Sequence, residues 1–341
     1  MKAMVLKTLC NLKEHPMPLK LMDLPIPIPG EREILLKVSA CAVCHTELDE
    51  IEGRTPPPYL PIIPGHQVVG RVEAVGNKAG AFKLGDRAGV AWIFSSCGTC
   101  KFCLAGHENL CPHFAATGRD ANGGYAQYMT VAEDFAYAIP ETFSDLHAAP
   151  LLCAGAIGYR SLHLSGLKDD QRLGLTGFGA SAHLVLKMVQ HQYPNSEIYV
   201  FARSAKERAF AEELGAKWTG DTIERAPHKL DTIIDTTPAW QPVVEALANL
   251  EAGGRLVINA IRKEGDKRSL LNLDYPVHIW QEKELKSVAN VARNDVKEFL
   301  DLAAKMNLQP EVQLFALEQA NDALLELKAG QIRGAKVLKI V

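Results

Sequence analysis

The pattern of apolar and polar residues changes character part-way along the chain. Up to about residue 150, short β-rich runs such as residues 34–43 and 68–75 are separated by Gly and Pro clusters, which is typical of a compact, mostly antiparallel β domain. From about Gln171 onward, apolar strands alternate with helical stretches, which predicts βαβ units and a parallel sheet. We therefore predict an α/β protein with two domains.

The second half of the chain predicts a regular succession of elements. Strands are predicted at residues 172–176, 198–202, 231–235 and 255–259, and helices at residues 180–190, 206–214 and 243–250. A chain of 341 residues with 47% apolar residues is long and apolar enough to fill two hydrophobic cores. A doubly wound parallel sheet of the Rossmann type is the architecture that this succession favours.

The turn between the first predicted strand and its helix carries a G-x-G-x-x-A motif. Gly177, Gly179 and Ala182 occupy its fixed positions, and Ala180 opens the helix. Glycines at such a turn let the backbone approach a pyrophosphate, whose charge then meets the helix N-terminus. The motif alone is weak evidence, but a preceding strand and a following helix are the context it requires. We predict a dinucleotide-binding site at these residues.

The end of the second predicted strand bears on which nicotinamide cofactor is bound. NAD sites usually carry an Asp or Glu there, but this chain has Ala202, followed by Arg203 and Ser204. Glu197 precedes the strand and is expected at the wrong end of the sheet. An arginine without a carboxylate fits a 2′-phosphate, so NADP(H) is favoured, with Ser204 and Lys206 as helpers. NAD(H) stays an alternative, because a solvated surface arginine is common.

Four cysteines lie within a short stretch of the β-rich half. Four thiolates this close in sequence can surround one tetrahedral ion, which predicts a closed structural zinc site. A disulfide knot would need an oxidising compartment, and no secretion signal is recognised. An iron–sulfur cluster is the other alternative, because C-x2-C-x2-C is also cluster spacing. The four residues are Cys97, Cys100, Cys103 and Cys111.

A second possible ligand set flanks this cysteine loop. Cys44 follows the run at residues 34–43, His66 precedes the run at residues 68–75, and Cys153 lies in an apolar stretch. Two cysteines, one histidine and a water form the open arrangement of a catalytic zinc, which polarises an alcohol or carbonyl oxygen. Each residue alone is weak evidence, since an apolar cysteine is more often a small core residue.

Several of these pieces occur in the order seen in one enzyme family. The chain resembles the zinc-dependent medium-chain alcohol dehydrogenases, of the medium-chain dehydrogenase/reductase superfamily, over essentially its whole length. The resemblance implies a GroES-like catalytic domain at residues 1–156 and 286–341 and a Rossmann domain at residues 157–285. The matching pieces are Cys44-His45-Thr46, Gly65-His66, the cysteine loop, Gly123-Gly124-Tyr125-Ala126, Cys153-Ala154-Gly155 and Ile332-Arg333-Gly334.

The resemblance also implies a reaction and a set of roles. Hydride would move between a primary or secondary alcohol, or its aldehyde or ketone, and the nicotinamide, with aldehyde reduction as the direction if the cofactor is NADP(H). Each chain would hold two zinc ions. The implied roles are Cys44, His66 and Cys153 as catalytic zinc ligands, Thr46 as proton acceptor, Glu47 as the acid orienting the histidine ligand, Trp92 as a wall of the substrate pocket and Arg333 as a pyrophosphate contact.

Two residues depart from the family pattern. Gln67 stands where most relatives have Glu, and Asp49 stands where many have the His that ends the proton relay. An ordinary Asp is a poor base at neutral pH, so the relay would end in water or involve His45, which has no firm role. These departures keep open a zinc-stabilised NAD(P)-binding protein without dehydrogenase turnover. An iron–sulfur electron-transfer protein is the remaining alternative.

Charge and cysteine usage bound the partners and the location. With 37 basic and 40 acidic residues, the chain shows no electrostatic footprint for nucleic acid or a membrane, so a small alcohol or aldehyde is the expected partner. Eight cysteines without a recognised secretion signal are expected in a reducing cytoplasm. The resemblance further implies a homodimer or homotetramer joined through the nucleotide domains.

Overall fold

The computed structural model describes residues 1–263, 265–330 and 334–340. The chain forms two compact units, Met1–Ala156 with Val291–Val341, and Ile157–Asn290. Within the described ranges, no helix is long and apolar enough to cross a membrane.

The strands and helices follow one another in this order. The strands are β1 Lys2–Leu6, β2 Leu19–Asp23, β3 Glu33–Val43, β4 Gln67–Val75, β5 Arg87–Val90, β6 Ile93–Ser95, β7 Ala115–Ala116, β8 Tyr128–Ala132, β9 Ala136–Ala138, β10 Arg172–Thr176, β11 Glu197–Phe201, β12 Trp218–Gly220, β13 Leu230–Asp235, β14 Leu250–Ile258, β15 Glu284–Ser287, β16 Val312–Ala316 and β17 Ala335–Lys339. The α-helices are α1 His45–Ile51, α2 Lys101–Leu104, α3 Asp145–Ala148, α4 Ala154–Ser165, α5 Ala180–Gln192, α6 Ala205–Glu213, α7 Gln241–Asn249, α8 Tyr275–His278, α9 Arg293–Lys305 and α10 Ala320–Lys328. Short 3-10 turns cover Glu108–Leu110, Glu133–Phe135, Ala149–Leu152, Lys267–Asn272 and Leu317–Gln319.

The first unit is built on a seven-stranded sheet that places two of the predicted ligands. Its order is β16-β17-β3-β4-β5-β9, with β8 also paired to β3, and every pair except β16–β17 is antiparallel. The pairing of β3 with β4 sets Ala42 opposite Gln67. The end of β3 therefore lies beside the start of β4, which brings the residues just outside those two ends together. Fully buried Ile34, Leu36 and Val68 fill the core beneath this sheet.

The second unit contains a six-stranded parallel sheet. Its spatial order is β12-β11-β10-β13-β14-β15, so the chain reverses direction across the sheet between β10 and β13. All five pairs are parallel, as predicted, and the central strands are almost continuously apolar because both faces of the sheet are covered. In parallel sheets with this order, the crevice at the carboxyl ends of β10 and β13 is the usual ligand site.

The predicted strands of the parallel sheet agree closely with those observed, and the differences have local causes. The strand beginning at Arg172 has its predicted bounds, and those ending at Phe201 and Asp235 differ from prediction by one residue. β14 starts five residues earlier than predicted, because Gly253 and Gly254 resemble a turn but lie inside the strand. β12 and β15 were not predicted, since the first has three residues and the second has only exposed side chains without alternation.

Candidate active site and metal centres

Cys44 lies at the junction of β3 and α1. It precedes the helix in an extended conformation, with φ −127° and ψ 162°. Its backbone N–H donates to Glu47 Oε2 at 2.7 Å, so the first turn of α1 satisfies this amide with an acid at the positive end of the helix. The Cys44 side chain is thereby held at the helix start, and Thr46 Oγ1 lies 3.5 Å from its sulfur.

His66 reaches the same place from the start of β4. The preceding Gly65 has φ +99°, and a Cβ there would lie 2.3 Å from the ring of Tyr125. Only glycine satisfies both the backbone angle and the close approach. This turn leads the chain into β4 with the His66 side chain fully buried.

Cys153 completes a cluster of three possible metal ligands. It follows the buried 3-10 turn Ala149–Leu152 and precedes α4. The ligand atoms of Cys44, His66 and Cys153 all lie within 4.8 Å of one another, and His66 Nε2 is 3.3 Å from Cys153 Sγ. Two sulfurs and one imidazole nitrogen at this spacing suit a tetrahedral zinc ion with one position open. The residues present therefore fit a catalytic zinc site.

A buried carboxylate supports the histidine from behind. Glu47 Oε1 lies 2.7 Å from His66 Nδ1, and both side chains are fully buried, although the two atoms do not form an aligned hydrogen bond. Burial opposes charge on His66, but Glu47 and Cys44 outweigh it and raise the pKa of His66 well above its usual range. The hydrogen bond from Cys153, against the effect of burial, lowers the pKa of Cys44 well below its usual range. A carboxylate on the outer nitrogen of a ligand histidine is the common way to fix its ring.

The cysteine loop brings its four sulfurs together near the surface. Their Sγ atoms lie within 4.8 Å of one another, and all four are free thiols. Backbone N–H groups of Cys100 and Cys97 donate to the sulfurs of Cys97 and Cys111, each at 3.4 Å. The N–H groups of Thr99 and Cys100 lower the pKa of Cys97 to about 5. Amides directed at the sulfurs stabilise thiolates, so Cys97, Cys100, Cys103 and Cys111 fit a closed four-sulfur metal site.

The G-x-G-x-x-A loop follows β10 and begins α5. Gly177 has φ +79°, and a Cβ there would lie 2.7 Å from Thr236 Oγ1, so this position requires glycine. A Cβ on Gly179 would meet no atom within 4 Å, which leaves open space above the loop. Ala180 opens α5 and Ala182 is fully buried, as the small third residue of the motif should be. This loop fits a pyrophosphate cradle.

The end of β11 carries no acidic side chain. Glu197 begins the strand at the opposite end and pairs with Arg172 at 3.3 Å. Arg203 is exposed, and Ser204 precedes α6 without a side-chain cap hydrogen bond. Sequence reasoning missed Arg208, which donates to the carbonyl oxygens of Ala202 and Arg203 at 2.6 and 3.0 Å and so fixes this turn. Its place in the first turns of α6 was the available signal.

Known proteins of similar sequence decide the family. A model described as the alcohol dehydrogenase GroES-like domain matches residues 30–141. The probable alcohol dehydrogenase AdhA of Mycobacterium tuberculosis (strain CDC 1551 / Oshkosh) is 42% identical over 328 residues, covering 95% of this chain and 93% of that protein. The chain belongs to the zinc-dependent medium-chain alcohol dehydrogenases. Another relative, an alcohol dehydrogenase of Geobacillus stearothermophilus, is 31% identical over 335 residues, covering 94% and 96%.

A solved structure agrees with this family. A cinnamyl alcohol dehydrogenase, SbCAD4 of Sorghum bicolor, has a TM-score of 0.83 and 25% identity, covering 99% of this chain and 97% of that chain. The expected fold class, a Rossmann domain with a GroES-like domain, is confirmed. The homologues support alcohol dehydrogenase activity for this chain.

The two residues predicted to depart from the family pattern lie on α1 and β4, the elements that follow Cys44 and His66. Gln67 is buried at the start of β4. Asp49 is buried on α1, and Arg54 Nε donates to its Oδ1 at 2.7 Å. One oxygen of this carboxylate is therefore occupied by an ion pair with an arginine. His45, the other residue considered for the relay, is exposed.

Of the remaining predicted site residues, the structure describes Trp92 but not Arg333. Trp92 is buried, with its ring centroid 5.0 Å from that of Phe114 and the Arg119 guanidinium 5.5 Å from the ring. Arg333 lies outside the described residues. Sequence reasoning also missed Glu50, a buried acid one turn beyond Glu47; the three-residue spacing on α1 was the signal that pointed to it.

Proposed function

We propose that the protein is a zinc-dependent alcohol dehydrogenase and aldehyde reductase that uses NADP(H). The observation that carries this proposal is the buried convergence of Cys44, His66 and Cys153, with Glu47 behind the histidine. The first unit, with its antiparallel sheet, is the catalytic domain. The second, with its parallel sheet and glycine loop, is the dinucleotide-binding domain. A small alcohol, aldehyde or ketone is the substrate.

In this proposal the chain's residues divide the work around the reacting oxygen. Cys44, His66 and Cys153 hold the catalytic zinc, which when bound supplies a Lewis acid for the substrate oxygen. The Thr46 hydroxyl, beside the Cys44 sulfur, accepts the alcohol proton or returns it. Trp92 forms a wall of the substrate pocket. The four cysteines of the loop hold a structural zinc, giving two zinc ions per chain.

The cofactor preference rests on the turn after β11. Arg203 is exposed there, Ser204 makes no side-chain cap hydrogen bond, and Arg208 holds the backbone of the turn. An arginine and a hydroxyl without a carboxylate suit a 2′-phosphate better than two ribose hydroxyls. NADP(H) is therefore favoured over NAD(H), with the pyrophosphate at Gly177 and Gly179.

We also propose a cytoplasmic homo-oligomer, a dimer or a tetramer. β15 is an edge strand of the parallel sheet and exposes Leu285, and Trp280 nearby is 57% exposed. Exposed apolar groups beside an open strand edge suit contact with a second copy.

One alternative function has a specific observation behind it. The Asp49–Arg54 ion pair and the neutral Gln67 suit a zinc-stabilised NAD(P)-binding protein without turnover. Metal analysis and a screen of NADPH-linked reduction across aldehydes of graded size distinguish the two. About two zinc ions per chain with turnover support the dehydrogenase. About one zinc ion per chain without turnover supports the binding protein. Iron in place of zinc would contradict both functions and support an iron–sulfur protein.

The cofactor preference has its own test. We expect Arg203→Ala to weaken NADPH binding about tenfold or more while NADH binding changes little, because the lost contact is a charge-assisted one. Fluorescence titration with both cofactors measures this. Arg172→Ala, at the opposite end of the sheet, is the matched control and should leave both affinities unchanged. Equal losses for NADPH and NADH in Arg203→Ala would refute the preference.

A further inference from the structure

Glu50 is a buried acid to which the proposed mechanism gives no role. It lies on α1 with 1% of its surface exposed. Neither carboxylate oxygen has a hydrogen-bond partner among the residues that the structure describes. A buried carboxyl group without a protein partner is costly and rare, so its retention calls for an explanation.

The helix places Glu50 beside both functional residues of its first turn. Thr46 and Glu50 are four residues apart and Glu47 and Glu50 are three apart, so all three side chains lie on adjoining parts of one face. Thr46, Glu47 and Glu50 are all buried. Side chains at these spacings are about 5–6 Å apart at their Cβ atoms, a separation that one water can bridge.

Burial and a neighbouring negative charge favour the protonated form of Glu50. Burial and then the charge on Glu47 raise the pKa of Glu50 well above its usual range, with a smaller contribution from Cys44. His66 and Arg119 act in the opposite direction, but Arg119 donates to Asp120 at 2.6 Å. The Tyr125 hydroxyl, also buried and without a partner in the described part of the chain, interacts electrostatically with Glu50. A carboxyl group whose pKa lies above its usual range is better suited to act as a general acid than an ordinary Glu.

Asp49, the neighbouring acid on α1, is occupied. Its carboxylate accepts the Arg54 hydrogen bond at 2.7 Å, whereas Glu50 accepts none among the described residues. Of these two buried acids, Glu50 alone combines free oxygens with the face of α1 that carries Thr46.

We propose that Glu50 stores the proton that Thr46 exchanges with the substrate oxygen. This inference rests on the proposed dehydrogenase function. In aldehyde reduction, protonated Glu50 gives its proton through one bridging water to the Thr46 oxygen, while the Thr46 hydroxyl proton passes to the carbonyl oxygen. The nicotinamide, when bound, supplies the hydride to the carbonyl carbon and is oxidised. The products are the alcohol, the oxidised cofactor and ionised Glu50, which regains a proton from solvent; alcohol oxidation runs the same transfers backwards.

The test compares Glu50→Gln with wild type. The amide keeps the size of the side chain but cannot exchange a proton. We expect kcat for aldehyde reduction to fall about a hundredfold and the alkaline limb of its pH profile to disappear, with zinc content and NADPH affinity unchanged. Asp49→Asn is the matched control on the same helix, and it should keep the alkaline limb.

A second measurement does not depend on turnover. Infrared difference spectra of the wild-type protein should contain the carbonyl band of a buried protonated carboxyl group, which titrates above the usual range of Glu and is missing in Glu50→Gln. Absence of that band in wild type overturns the inference. So does an unchanged kcat with an intact pH limb, or a loss of zinc that accounts for the loss of rate. A wild-type protein without zinc or turnover would instead refute the proposed dehydrogenase function.

Discussion

The two candidate metal centres of this molecule are built in opposite ways. Cys97, Cys100, Cys103 and Cys111 come from one continuous loop near the surface, and backbone amides within the loop point at their sulfurs. The Cys44, His66 and Cys153 centre takes its ligands from three distant stretches of chain, and the buried carboxylate of Glu47 lies behind its histidine. In the first centre, one loop supplies all four sulfurs and the amides that stabilise them. In the second, the ligands are brought together only by the packing of the sheet.

The difference teaches which feature makes a site catalytic. A centre with four sulfur ligands leaves no position for substrate, so its contribution is to fold a loop. A centre with three ligands keeps one position open, and its remaining groups, Thr46, Glu47 and Glu50, are arranged on one helix face beside it. Among the described residues, the open centre is flanked by buried polar atoms without hydrogen-bond partners: both oxygens of Glu50, Glu47 Oε1 and His66 Nδ1.

The largest expected effect is the loss of activity when a ligand of the open, three-ligand centre is replaced. Cys153→Ser should lower alcohol oxidation and aldehyde reduction about a thousandfold, since a Lewis acid contributes several kcal/mol at the reacting oxygen. Zinc content should fall from about two to about one per chain, with the melting temperature little changed. Metal analysis beside steady-state kinetics measures this, and full activity with one zinc would contradict the proposed ligand set.

An intermediate effect is expected at the closed centre. Cys103→Ser removes one of four sulfurs that fold the loop, so we expect the melting temperature to fall by about 5–10 °C and zinc content to fall to about one per chain. Activity per zinc at the open centre should be retained well below the new melting temperature. Calorimetry and kinetics on the same preparation separate the two. If Cys103→Ser removes activity as completely as Cys153→Ser at low temperature, the division into a structural and a catalytic centre is wrong.

The smallest effect concerns Glu52, which follows the last residue of α1. Burial alone would raise the pKa of Glu52, but ion pairs with Lys328 and Arg54 and the Leu12 N–H lower it to about 2. The unfolded chain has a pKa of about 4.3 at this position, so the stabilisation is present above that value and is lost as pH falls toward 2. We expect wild type to exceed Glu52→Gln in free energy of unfolding near neutral pH, with the difference vanishing near pH 2. Urea titrations from pH 7 to 2 measure it, and a difference independent of pH would contradict this account.

The glycine loop after β10 shows which features a local sequence pattern can predict and which it cannot. The G-x-G-x-x-A spacing and the flanking strand and helix predicted a glycine turn between β10 and α5, and the structure has φ +79° at Gly177 and a buried Ala182 there. Arg208 escaped prediction, because its hydrogen bonds to the carbonyls of Ala202 and Arg203 depend on how α6 packs against β11. β15 escaped it because its exposed side chains show no alternation.

The sequence by itself determined which residue types are available as metal ligands and for the glycine loop, and the order of the strands and helices that carry them. The cysteine spacing, the glycine motif and the ligand types follow from covalent neighbours and from periodicities that each stretch expresses locally. Only the tertiary structure decided which acids are paired and which are not. Arg54 neutralises Asp49, and Glu50 is left buried beside Thr46, because the environment of each carboxylate is set by side chains that packing brings together from elsewhere in the chain.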